Sequence, residues 1–138
     1  MKISTRGRYS VRYMIELSRV PEGGFSSLKD LASRQEIPFK YIESIVPPLV
    51  KNGLIESRHG KGGGYRITKD PSEYTIGEIL RVTEGDLSPV ACLSCGETVC
   101  SRKADCPTLG MWMEFKELIN SYFDSKKLSD FVINRELF

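Results

Sequence analysis

No stretch of this 138-residue sequence approaches the roughly 18 to 20 apolar residues that cross a bilayer, and its opening Met-Lys-Ile-Ser leads into no apolar run of signal length. The expectation from these absences is a cytoplasmic protein with no membrane partner. Histidine is nearly missing as well, His59 being the only one. Cysteine is not missing, but all four lie inside one fifteen-residue window.

That window in turn lacks apolar material. Cys92, Cys95, Cys100 and Cys106 are separated by two, four and five residues, and Gly96, Glu97, Ser101, Arg102, Lys103 and Asp105 lie among them. Such a loop has too little to bury to pack by itself, so a metal, a cluster or two disulfides must order it. Cytosolic thiols stay reduced, which favours metal ligands or redox groups over structural disulfides.

The length suits one domain, or one small domain with a dimerising appendage. A net charge of +2 hides an asymmetry: residues 1–70 carry 13 Lys and Arg against 7 Asp and Glu, whereas residues 71–138 carry 7 against 11. A basic first half suits a polyanion, although an excess this modest also occurs on ordinary solvated surfaces.

Residues 5–20 read as a helix whose apolar surface is Tyr9, Val11, Tyr13, Met14, Ile15 and Leu17. Arg6 and Arg8 fall at its N-terminal end, where cations gain nothing from the helix dipole; phosphate contact or plain solvation would account for them. After Gly23-Gly24, Ser27 stands three residues ahead of Asp30 and marks a second helix start. Pro38 suits the first turn of a third helix reaching about Lys51, and the short link between the two makes a helix-turn-helix. Helical spacing turns Ile42, Ile45, Val46 and Leu49 inward and leaves Lys40, Tyr41, Glu43 and Ser44 outward, where a recognition helix meets base edges. A carboxylate there is repelled by phosphate unless a donor such as cytosine N4 receives it, so Glu43 is either a base reader or a solvated glutamate. Pro47-Pro48 removes two ladder donors and predicts a kink or a restart.

Asn52-Gly53 ends that helix, and strands at residues 54–57 and 65–68 flank a glycine-rich turn. The turn is basic. Arg58, His59 and Lys61 would reach a minor groove or phosphates from such a wing. No helix follows to make it a nucleotide-binding loop. Thr75-Ile76-Gly77-Glu78 opens a further helix, and Pro107 suits the first turn of a long one reaching about Phe123. Met111, Trp112, Phe115, Leu118, Ile119 and Tyr122 make its stripe too broad for one small domain to cover, so a two-fold dimer is expected. Leu128, Phe131 and Val132 suggest a short final helix.

The fold expected is mainly α with a small β-hairpin wing: a winged helix-turn-helix DNA-binding domain over 1–85, a cysteine loop over 86–107, and a dimerisation helix and tail over 108–138. Double-stranded DNA, read at a pseudo-palindrome, is the expected partner. The expected DNA contacts are Lys2, Arg6, Lys40, Tyr41, Glu43, Ser44, Arg58, His59 and Lys61; the expected dimer interface is Trp112, Phe115, Ile119 and Tyr122.

Four motifs carry a resemblance: residues 2–9 (KISTRGRY), Tyr41-Ile42-Glu43, Lys51-Asn52-Gly53-Leu54 and Gly62-Gly63-Gly64-Tyr65. In these the chain resembles the Rrf-type winged-helix transcriptional regulators over nearly its whole length. Cys92, Cys100 and Cys106 ahead of a long C-terminal helix look like the cluster-binding, IscR-like members and unlike the CymR type, which lacks these cysteines. The resemblance implies a homodimeric repressor, not an enzyme, that holds an iron-sulfur cluster (2Fe-2S ahead of 4Fe-4S) and controls cluster-assembly genes. A nitric oxide or cysteine-metabolism responsive repressor of the same family is the alternative, as is structural zinc. A small redox or electron-transfer protein is a further alternative, but it would have no use for the basic wing. Three departures stand out. His59 replaces an arginine common in the wing, Leu109 stands where the IscR type has a histidine ligand, and Arg8 falls where NsrR-like proteins use an aspartate. The fourth ligand is therefore open among Cys95, Glu97, Asp105 and a group from a partner chain.

Overall fold

A serine begins each of the first two helices. In a computed structural model, which describes residues 2–94 and 100–132, helix α1 (Thr5–Ser18) starts where the Ser4 hydroxyl accepts the Gly7 N–H. Helix α2 (Leu28–Gln35) starts where Ser27 accepts the Asp30 N–H, as the spacing predicts. Glu36, in the left-handed region at φ 51°, turns the chain sharply into helix α3 (Phe39–Lys51). Pro38 is the N-cap of α3 and not part of its first turn. Of the kink or restart expected at Pro47-Pro48, the restart does not occur: α3 runs through both prolines.

Strands β1 (Ile55–Arg58) and β2 (Gly64–Ile67) pair antiparallel, with Ile55 opposite Ile67 and Arg58 opposite Gly64. Ser26 clamps this hairpin from outside, donating to the Tyr65 carbonyl at 2.9 Å and accepting its N–H at 2.8 Å. The clamp explains a glycine. A Cβ on Gly64, whose φ is +145°, would stand 2.3 Å from the Ser26 carbonyl oxygen, well inside contact distance.

Helix α4 (Ile76–Glu84) is capped by Thr75. Helix α5 (Leu109–Ser125) begins after Thr108, so Pro107 lies just outside it and not in its first turn. Beyond α5 the chain returns to the root of α4: Ile76 N–H donates to Lys126 O at 2.9 Å and Leu128 N–H to Tyr74 O at 3.0 Å. The short helix α6 (Ser129–Val132) follows.

Tyr13, Met14 and Leu17 of α1 lie at the centre of one core with Leu31, Ile42, Ile45, Leu49, Ile79 and Leu80. Ile119 and Leu128 join the same core, which therefore continues past residue 85 into α5 and its tail. Each such side chain contributes about 1.5–3 kcal/mol by leaving water. Ser10, Ser26 and Thr83 are buried polar residues, and among the described residues the buried charged one is Glu16 of α1, whose carboxylate receives Arg19 at 3.0 Å, Gln35 at 2.9 Å and Arg34 at 3.5 Å. Its charge is thus paired on the side that meets α2.

Candidate nucleic-acid interface and cysteine segment

The inward residues of α3 are Ile42, Ile45, Val46 and Leu49, so its opposite face is free. Lys40, Glu43 and Ser44 are exposed there, and Tyr41 is half-buried, edge-on to Tyr9 with ring centres 5.2 Å apart. The Lys40 ammonium lies 5.3 Å from the Tyr41 ring centre. Phe39 adds an apolar surface beside them, 42% exposed. Sequence reasoning passed over Phe39; its signal is a large aromatic beside Pro38 that falls off the buried stripe.

Of the cations expected at the N-terminus of α1, Lys2 is exposed, and Arg8 is exposed with its Nη2 donating to the Thr5 hydroxyl at 3.1 Å. Arg6 behaves differently: half-buried, it donates from Nη2 to the Ser44 carbonyl of α3 at 3.0 Å. At the hairpin, Arg58, His59 and Lys61 are all exposed. Phe25 was also missed. Its ring centre lies 5.4 Å from the Arg58 guanidinium and 4.5 Å from that of Arg66, so a lone aromatic in the loop before α2 braces the base of the wing. Exposed cations on α1, α3 and the hairpin are available to phosphates, while the side chains of the first α3 turns are available to base edges.

The cysteine segment leaves α4 at Glu84-Gly85. Cys92 is exposed in a 3-10 turn (Ala91–Leu93) whose last carbonyl, that of Leu93, accepts Ser88 Oγ at 3.0 Å and Lys116 Nζ of α5 at 2.7 Å. Lys116 also faces Asp86 at 3.7 Å. Cys100 is exposed, and Cys106 is half-buried just ahead of α5. The Thr108 hydroxyl, 3.6 Å from the Cys106 sulfur, holds that thiol below its ordinary range, helped by the Thr108 and Leu109 N–H groups and by Arg102.

Among the described residues, Cys92, Cys100 and Cys106 form no disulfide. Cys95 and Glu97 lie outside the described residues. Among the described residues no three His, Cys, Asp or Glu side chains gather into a group able to hold a metal ion. The donor set is nonetheless soft thiolate, the chemistry that suits iron-sulfur clusters and zinc.

On α5, Met111, Phe115, Leu118 and Tyr122 are exposed by 52, 42, 67 and 59%. They follow one another by four, three and four residues, a single seam along the helix. Trp112 is half-buried beside it. Ile119, grouped with the interface in the sequence reading, is only 8% exposed and packs in the chain's own core. One residue advances a helix by about 100°, so Leu118 faces outward where Ile119 faces inward.

A helix-turn-helix followed by a two-stranded hairpin is the winged-helix arrangement, and a family model described as Rrf2, iron-dependent transcriptional regulator, matches residues 3–134. The chain belongs to the Rrf2 family. Among curated Rrf2 relatives, the HTH-type transcriptional regulator CymR of Bacillus subtilis is 37% identical over 130 residues, 94% of this chain and 88% of CymR. The HTH-type transcriptional regulator IscR of Klebsiella pneumoniae is 31% identical over 137 residues, 99% and 83% of the two chains. The solved structure of B. subtilis CymR, the global cysteine regulator, superposes with a TM-score of 0.75 at 35% identity, covering 96% of each chain. T. potens IscR gives 0.71 at 32% identity, covering 94% of this chain and 85% of the other. This Rrf2 chain is accordingly a DNA-binding transcriptional regulator of winged-helix fold; its relatives are regulators and not enzymes. Overall identity does not separate the CymR from the IscR branch, and no described helix is long and apolar enough to cross a membrane.

Proposed function

We propose that this Rrf2 regulator is a homodimeric repressor whose signal enters through an iron-sulfur cluster held by Cys92, Cys100 and Cys106. The observation that carries the reading is the trio of cysteines, none in a disulfide among the described residues, in the segment between α4 and α5, one of them, Cys106, just ahead of α5 and biased toward thiolate. Such a cluster supplies a reversible redox or occupancy signal when bound. Because the described cysteines do not form a ready-made site, ligation would order the segment at the moment of binding. Cys95 is the simplest fourth ligand, with Glu97, Asp105 or a partner-chain group as the others.

That segment has a physical route to the DNA-reading face. Lys116 and Ser88 pin the Leu93 carbonyl beside Cys92, α5 packs on α4, and α4 packs on α1, whose Arg6 reaches α3. The exposed seam of Met111, Phe115, Leu118 and Tyr122 pairs two protomers, which then read a pseudo-palindromic operator with two recognition helices. Lys40, Tyr41, Glu43 and Ser44 meet base edges; Lys2, Arg58, His59 and Lys61 meet phosphates or a minor groove.

The test is protein purified without oxygen, assayed for iron, sulfide and visible absorbance, with each cysteine changed singly to Ser. Loss of the chromophore in the Cys92, Cys100 and Cys106 variants supports the assignment. A normal chromophore in Cys100→Ser removes it. A colourless protein containing zinc would make the site structural. A metal-free protein whose DNA binding answers to thiol oxidation would favour the cysteine-responsive reading, which the 37% identity to CymR supports. For the operator, Glu43→Ala should relax sequence preference while leaving affinity for unrelated duplex intact, and equal weakening of every duplex would remove Glu43 as a base reader.

A further inference from the structure

Pro48 has no N–H to donate to the Ser44 carbonyl four residues earlier, and a proline ring pushes that carbonyl aside. A helix interrupted this way can break, yet α3 is unbroken from Phe39 to Lys51. The Ser44 carbonyl has found a donor elsewhere: Arg6 Nη2, 38 residues earlier in the chain, at 3.0 Å. Its Nε is shielded from solvent and makes no hydrogen bond among the described residues, so the guanidinium is set into the joint between α1 and α3 and is not simply presented to solvent. The joint continues on the same two helices, where Tyr41 meets Tyr9 edge-on and Arg12 lies 5.4 Å from the Tyr9 ring centre.

We propose that Arg6 is a positioning residue for sequence reading, supplying to Ser44 the hydrogen bond that Pro48 cannot and so fixing the Lys40–Ser44 turns of α3 against α1. Ser44 and Glu43 sit at the point where the missing donor would let the backbone drift. An Arg arm there is a charge-assisted bond, stronger than the backbone bond it replaces. The inference rests on the reading of α3 as the recognition helix. It departs from a simple phosphate role for Arg6, in which its charge would act on every duplex alike.

The experiment is a double-mutant cycle on the full chain: wild type, Arg6→Met, Pro48→Ala and the double variant. Met keeps the length of the stem but removes the donor and the charge, and Ala at position 48 restores the backbone N–H that Ser44 lacks. Each protein is titrated against an operator selected from random duplexes by the wild type, and against a scrambled duplex, over a range of salt. Arg6→Met should lower the operator-to-scrambled affinity ratio roughly tenfold, the size of one hydrogen bond to a charged group. Pro48→Ala should recover most of that ratio in the double variant. An unchanged ratio in Arg6→Met overturns the proposal. So does an equal loss on both duplexes with a salt slope shallower by about one and no rescue, which is the signature of a phosphate contact. If Arg6→Met does not fold, refolding by Pro48→Ala supports the Ser44 link, and continued unfolding overturns the reading role. Glu43→Ala serves as the control: should it too leave sequence preference untouched, the assignment of α3 as reader fails, and not Arg6 alone.

Discussion

The carboxylate of Glu84, the last residue of α4, accepts both the backbone N–H and the hydroxyl of Ser4, the residue that caps α1. It lies over Gly7, where a Cβ would stand 2.0 Å from Glu84 Oε1. The glycine in the first turn of α1 is therefore a matter of room for a neighbour's side chain. Gly7→Ala should drive the Glu84 carboxylate off Ser4; the lost bonds outweigh the roughly 0.5–1 kcal/mol by which Ala is favoured over Gly inside a helix, for a net loss of about 1 kcal/mol or less. Urea unfolding measures it; an alanine variant at or above wild-type stability would show that Glu84 relocates without loss.

Tyr13 offers a change in the opposite direction. Its hydroxyl is buried in the core with no hydrogen-bond partner among the described residues, and burial, with Tyr65 nearby, pushes its ionisation above the ordinary phenol range. Tyr13→Phe should stabilise the fold by about 1 kcal/mol at neutral pH, because an unmatched buried hydroxyl disappears. A group whose folded pKa is raised contributes fully below its unfolded value, about 10 for tyrosine, and its contribution is lost as pH rises through the folded one. The advantage of Phe should therefore widen above about pH 10. A gap that stays constant with pH would contradict the burial account.

Cys106 titrates the other way. The Thr108 hydroxyl and N–H stabilise its thiolate, so in metal-free, reduced protein it should be alkylated by iodoacetamide with a pH midpoint below that of a free thiol. Because its folded pKa is depressed, any stability it contributes is present on the alkaline side and is lost as pH falls through that pKa. Thr108→Val should move the midpoint upward, as mass spectrometry of the peptide would show. An unmoved midpoint would give the effect to another group.

Leu118 is the most exposed of the large apolar residues on α5, at 67%. Leu118→Asp should leave thermal unfolding of the protomer little changed, yet it should convert a dimer to monomer in sedimentation by burying an unpaired charge in the seam. Ile119→Asp should instead lower stability itself, since Ile119 belongs to the core. Dimers that persist in Leu118→Asp would move the interface off this seam.

The parts of this fold that depend on nearest neighbours were legible in the chain. Ser27 and Thr75 announce their helices because a cap and its N–H lie three residues apart, and the Ile42, Ile45, Val46 and Leu49 stripe follows from helical period alone. The donor that reaches the Ser44 carbonyl of α3 was not legible, because it comes from Arg6 in another helix. Phe25 reads as a loop residue until the hairpin brings Arg58 and Arg66 to its ring. A broad stripe likewise does not say which edge faces home, and only the packing of α5 on α4 separates Ile119 from Leu118. For the cysteines, sequence supplies the donor chemistry, while the described residues bring no three such donors together.

The fastenings of α5 are unevenly distributed along its length. Arg81 reaches Asn120 at 2.9 Å and also Asp124, Ile119 enters the core, and the chain just beyond the helix is stitched to the root of α4. From Lys116 back toward Leu109 the helix carries exposed Met111, Met113 and Phe115 instead. Mechanically α5 resembles a cantilever rooted at its C-terminal end, propped part-way by Lys116 on the Leu93 carbonyl and loaded at its tip by the cysteine segment. Deflection of such a beam grows with distance from its root, so a rearrangement around Cys106 should displace Met111 more than Tyr122.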